Sequence, residues 1–187
     1  MKDRGTIHPS PSISPAITRA GFTMIELMVI VVIMAILAGT VIPVMNQSTQ
    51  ARQGASRDEV VRSFEFARAF AIAGGVPAGV AIDTSESTLG IVTLNDSGAI
   101  IPVVDRIDGQ IKEADLSQHY AGVTIVSFVN GNGTTGDGTV WFDFQAEPHT
   151  RVQSSGAFDA VFNQNATLTM STGTTITVHA GSGLVED

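Results

Sequence analysis

The chain has 187 residues, enough for one ordinary domain with an anchor or tail and too few for two domains of typical size. It contains no cysteine, which excludes disulfides, thiolate chemistry, Cys-ligated zinc and acylation at a cysteine, so an exported body must be held together by its core alone. Residues 1–21 hold three cations and one acid, net +2, whereas residues 22–187 hold seven cations and seventeen acids, net −10, and such a body repels phosphate backbones and argues against nucleic acid as a partner.

The first segment is a polar leader with Lys2, Arg4 and Arg19 and three prolines, Pro9, Pro11 and Pro15. An apolar run follows, Gly21-Phe22-Thr23-Met24-Ile25-Glu26-Leu27-Met28-Val29-Ile30 and on to Ile42-Pro43. From Leu27 to Ile42 it is uncharged, about 24 Å as helix, and counted from Phe22 it is about 32 Å. Three readings compete for it. A cleavable secretory signal has a shorter apolar region, no acid at its start and a better small-x-small site than Ala38-Gly39-Thr40. An uncleaved anchor, with the basic leader held in the cytoplasm, fits the charge pattern but leaves Glu26 unexplained. A carboxylate next to a bilayer is expensive and needs either hydration at the headgroups or a partner.

The third reading rests on a resemblance. Gly-Phe-Thr-Met-Ile-Glu before an uninterrupted apolar run closely resembles the junction cut by prepilin peptidase in type IV pilins and type II secretion pseudopilins. The resemblance implies that Gly21 is the last leader residue, that Phe22 is the mature, N-methylated terminus, and that Glu26 supports assembly. A physical rationale accompanies it: cleavage creates an amine at Phe22 that a carboxylate of an adjacent subunit neutralises once the helices pack in apolar surroundings, where either charge alone is costly. Pro43 coincides with a helix proline common in that family, and its missing N–H and ring clash predict a bend or local unwinding there.

Beyond the run, Asn46 to Gln50 is polar and a helical period begins at Ala51. Val60, Phe64, Phe66, Ala67, Phe70 and Ala71 occupy about half of the wheel, with Arg57, Asp58, Arg62, Glu65 and Arg68 opposite. These phenylalanines are expected to pack in a core. Gly74-Gly75 and Pro77 stop the helix. Alternation then takes over at Val76–Ile82, Leu89–Leu94, Ile100–Val104, Val123–Val129 and Val140-Phe142-Phe144, and a terminal hairpin is expected around Thr172-Gly173, between Leu168-Met170 and Ile176-Val178. The expected fold is α+β and pilin-like: a long N-terminal helix, with a membrane half and an amphipathic half, packed on an antiparallel β-sheet body. Its expected divisions are a leader at 1–21, a transmembrane and assembly helix at 22–43, its amphipathic continuation at 44–75 and a periplasmic β domain at 76–187.

The helix end Phe66-Ala67-Arg68-Ala69-Phe70-Ala71-Ile72, the Val-rich strand after it and the terminal Ile176-Thr177-Val178 with Gly181-Ser182-Gly183-Leu184-Val185 resemble the GspH/FimT group of minor pseudopilins and minor pilins. The resemblance covers residues 21–83 and about 139–185. It implies a structural subunit at or near the tip of a type II secretion pseudopilus, anchored in the bacterial inner membrane. The partners implied are prepilin peptidase, other pseudopilin or pilin subunits and the secretion machinery. A minor type IV pilin of the FimT kind, serving pilus assembly, adhesion or DNA uptake, is the alternative. For DNA uptake the family's feature is a basic C-terminus, and this chain ends Glu186-Asp187.

Nothing points to catalysis or to a cofactor. His8, His119, His149 and His179 lie far apart, with no metalloprotease, P-loop or nucleophile-elbow pattern, and read as surface or strand histidines. Asn130 to Gly138 alternates oxygen-bearing side chains with glycine, but its twelfth position is Trp141 where an EF-hand needs Glu; a flexible inter-strand loop is favoured over a calcium site.

Overall fold

A computed structural model describes residues 22–105, 107 and 109–187. The leader 1–21, Gly21 included, lies outside the described residues, as do the side chains of residues 39–46, Pro43 among them. Two compact units, Met1–Val44 and Met45–Asp187, divide the chain, and the helix α1, Met24–Gly74, contributes to both.

In the first unit α1 presents apolar side chains all round: Phe22, Met24, Ile25 and every large hydrophobic from Leu27 to Leu37 are exposed. A surface of that kind is covered by lipid or by other protein when it is stable in the cell. Among the described residues, no helix is long and apolar enough to cross a membrane. The apolar run itself continues to Ile42, into residues whose side chains lie outside the described set.

In the second unit the later turns of α1 bury a narrow stripe, Ser56, Val60, Ser63, Phe64, Ala67 and Ala71. The i, i+4 spacing of this stripe puts one side chain per turn on the core side. The two serines are tolerated there because their hydroxyls donate back to the carbonyls of Gln53 and Glu59. Phe66, expected in the core, is 38% exposed instead and stacks on half-buried Phe70. It lies two positions, some 200° of helix, from Phe64, so one stripe cannot bury both. The helix ends where the sequence predicts: Gly75 has φ +63° and donates to the Ala71 carbonyl, a left-handed cap that glycine adopts without steric cost.

The body contains two antiparallel sheets rather than one. The first comprises β1 (Ala78–Asp83), β2 (Thr88–Leu94), β3 (Ile100–Pro102), β4 (Glu113–Asp115), β6 (Gly138–Phe142), β7 (Pro148–Arg151) and β8 (Phe158–Val161), in the order β3-β2-β1-β6-β7-β8 with β4 also on β2. A four-residue helix α2, Leu116–His119, follows β4, capped by the Asp115 side chain. The second sheet runs β11-β10-β9-β5, from Val185–Glu186, Thr175–Val178, Ala166–Met170 and Ile125–Val129. Side chains of both sheets, among them Val80, Leu89, Val140, Phe142, Phe128, Leu168 and Ile176, meet the α1 stripe in one core.

The hairpin at Thr172-Gly173 forms as expected, with the Met170 amide donating to Thr174. The reading of Phe144 as part of a strand is corrected: β6 stops at Phe142, and Phe144 sits exposed in the turn that leads to β7. From Asp187 a carboxylate oxygen lies 2.6 Å from Arg57 Nη2, and Arg68 Nη2 donates to the Ser182 carbonyl, so two arginines of α1 hold the last residues against the helix.

Side chains of the loop 130–137 hydrogen-bond within it and to neighbouring segments. Asn130 Oδ1 accepts from the amides of Asn132 and Thr134, Asn132 Nδ2 donates to Thr150 Oγ1, and Asp137 Oδ1 accepts from the amide and hydroxyl of Thr84. Gly131 carries the Phe162 ring directly against its backbone, where an added Cβ would collide with the ring. Gly131→Ala is therefore expected to lower stability by about 1–3 kcal/mol through overpacking, read as an earlier urea midpoint at unchanged slope.

Candidate functional site

The start of α1 is where a local sequence signal and a chemical group coincide. Thr23 precedes the first helical residue and Glu26 follows it by three, the pattern of a capping box. The amide and the hydroxyl of Thr23 both donate to Glu26 Oε2, at 2.8 and 2.9 Å, and the Glu26 amide donates to Thr23 Oγ1 at 3.3 Å. Donors that an unfinished first turn leaves unpaired are thereby satisfied reciprocally. Phe22 stands just outside the cap, 75% exposed, with its backbone leading into it.

This geometry gives Glu26 a role that the reading of it as an assembly acid omits. The T-x-x-E spacing before an apolar run was sufficient to find it. A negative carboxylate in the first turn also complements the helix dipole. One carboxylate oxygen, Oε2, takes both Thr23 donors, which leaves Oε1 geometrically separate from the cap. On another side of the helix the exposed side chains of Met24, Leu27, Met28, Val31 and Val32 line a shallow apolar depression.

The other positions singled out by the sequence do not converge. Among the described residues, no three His, Cys, Asp or Glu side chains come together as a metal site. His119 ends α2, its Nδ1 paired with the Asp115 carbonyl. His179 lies one residue past β10, where its Nε2 is 2.8 Å from Glu186. His149 differs: it sits on β7 as expected of a strand residue, yet it is 1% exposed and fully part of the packing. In the loop 130–137, Asn130 Oδ1 and Asp137 Oδ1 accept backbone and hydroxyl donors.

The family model described as the prokaryotic N-terminal methylation motif matches residues 18–42, which span the junction, the capping box and the start of the apolar helix. The chain carries a prepilin-type N-terminus. Its fold is similar to that of the minor pseudopilin EpsH from the type 2 secretion system of Vibrio cholerae, with a TM-score of 0.51 over 72% of this chain and 93% of that one at 13% identity. A second structure of the Vibrio cholerae minor pseudopilin EpsH has a TM-score of 0.46, 16% identity, and covers 76% of this chain and 94% of its own. A comparison with curated proteins finds no match. The likeness to the first of these is one of fold, an N-terminal helix with an antiparallel β-sheet body.

Proposed function

We propose that this chain is a non-enzymatic minor pseudopilin, a structural subunit at or near the tip of a type II secretion pseudopilus. Prepilin peptidase cuts between Gly21 and Phe22, Phe22 is N-methylated, and residues 22–43 form the membrane and assembly helix, with Pro43 a point of bending. Residues 44–75 continue it, and 76–187 form the periplasmic β domain. Before cleavage the leader is cytoplasmic in a single-pass inner-membrane protein. The observation that carries this reading is that the helix cap starts at Thr23, one residue after the junction, within the matched methylation motif. Cleavage would therefore place a new amine at the mouth of a capped helix rather than in a disordered tail.

In assembly, the Phe22 amine of one subunit meets the Glu26 carboxylate of a neighbour, and the exposed apolar side chains of α1 pack laterally. The pair removes two costly charges from apolar surroundings together, which favours one axial register. Mass spectrometry of the membrane-extracted protein is expected to give N-methyl-Phe22 as the first residue. An intact leader in cells with active prepilin peptidase would overturn the proposal.

A further inference from the structure

On the face of the first sheet away from the core lies a second, smaller cluster. Val140 and Phe142 join the core, so Trp141 between them points the other way, where it is 1% exposed. His149 pairs with Trp141 across β6 and β7, Arg151 follows two residues later on the same face, and Phe158 of β8 pairs with Arg151. The Arg151 guanidinium carbon is 5.7 Å from the Trp141 ring centroid, and the Phe158 ring is 5.4 Å from the His149 ring.

Hydrogen bonds fix the protonation state in this cluster. Arg151 Nε donates to His149 Nε2 at 2.9 Å. Arginine has no acceptor to offer, so Nε2 must carry a lone pair. The ring proton then sits on Nδ1, which donates to the Glu147 carbonyl at 3.2 Å. The same guanidinium donates from Nη1 to the Gly156 carbonyl at 2.7 Å. Gly156 belongs to the turn from Val152 to Ala157, which closes on itself through the Val152 carbonyl and packs against Leu94 and Gly98. Arg151 is thus a clamp with three attachments: a neutral imidazole, an aromatic face and the turn.

We propose that protonation of His149 releases this clamp, so that acidification loosens the 152–157 turn and uncovers Trp141 while the α1-facing core stays folded. A proton on Nε2 replaces an acceptor by a second donor and places an imidazolium against a guanidinium at hydrogen-bond distance. The charged groups around His149 do not compensate. Asp143, at the end of β6, favours the protonated ring from a distance, and Glu147 offers its carbonyl, which remains an acceptor in either state. Asp159 on β8 is engaged by the Thr150 hydroxyl. Burial, the largest influence, pushes the His149 pKa below its ordinary value, and Arg151 adds to this. The unfolded chain therefore takes the proton more readily than the folded one. The contribution of the clamp is complete above about pH 6.5 and is lost as pH falls below it.

Trp141 is the single tryptophan of the chain, so its accessibility reports on the clamp directly. The test is acrylamide quenching of the full chain in detergent from about pH 7.5 to about pH 5. The result is read as a bimolecular quenching constant, so that direct quenching by the imidazolium does not enter. In the parent protein the constant is expected to rise several-fold and reversibly on acidification, with unchanged far-UV circular dichroism. His149→Gln keeps an acceptor for Arg151 without a titratable proton and is expected to stay flat over the same range. Arg151→Met removes the clamp and is expected to be highly quenched at both ends, which tests the idea even if His149→Gln fails to fold. A parent titration matched by His149→Gln, or a Trp141 as shielded in Arg151→Met as in the parent, overturns the proposal.

Discussion

Glu26→Gln is expected to keep the start of the helix intact and to lose filament incorporation. Glutamine at this position still accepts from Thr23 and completes a capping box, but it cannot neutralise the amine of a neighbouring Phe22. An unpaired charge in packed apolar surroundings costs about 3–5 kcal/mol, which corresponds to a drop of at least about a hundredfold in incorporation. Thr23→Ala is the complement: it removes the hydroxyl partner of Glu26, keeps the carboxylate, and should cost about 0.5–2 kcal/mol of helix stability with a modest effect on assembly. Cross-linking of each variant to neighbouring subunits in membranes separates the two. If Glu26→Gln is incorporated as well as the parent while Glu26→Ala is not, the carboxylate serves as a cap and the paired-charge account is wrong.

The second large effect concerns the phase of α1 against the sheets. Phe64→Ala is expected to destabilise the body by about 3–5 kcal/mol, because the ring is fully buried and the helix backbone cannot close the cavity. Phe66→Ala, which loses a stacked contact with Phe70 and a position near Lys112, should cost about 1 kcal/mol. Urea unfolding followed by Trp141 fluorescence measures both. Equal costs would mean that the helix presents a broader or rotated face to the core.

Much of this molecule was legible in its sequence because strong local rules apply. The methylation motif and the apolar run are contiguous, so no tertiary information is needed to read them. The stop at Gly74-Gly75 follows from left-handed backbone geometry, and β1, β2 and the last hairpin alternate cleanly, with burial following every second residue in β2. What escaped depends on contacts distant in sequence. β7 begins with a proline and reads Pro-His-Thr-Arg, yet its first three residues are buried, because β6, β8 and the 152–157 turn surround it. β8 is an edge strand with mostly exposed side chains, so it shows no apolar period. The split into two sheets was likewise hidden, since alternation marks a strand without naming its neighbour. On α1, the wheel placed six apolar residues on one half, and only the partners across the core select Phe64 over Phe66.

The strand order has a consequence for biogenesis. β1 is a central strand: it pairs with β2 directly after it in sequence, while its other edge waits for β6, with Ala78 opposite Phe142. A chain emerging from a ribosome or a translocon in N-to-C order can close the β1–β2 hairpin early, but it then carries an unpaired apolar edge at Val80 and Ile82 until Phe142 has emerged. Open edges of this kind recruit other strands. A chain arrested before residue 138, with this edge still unpaired, should therefore aggregate more readily than the full-length chain.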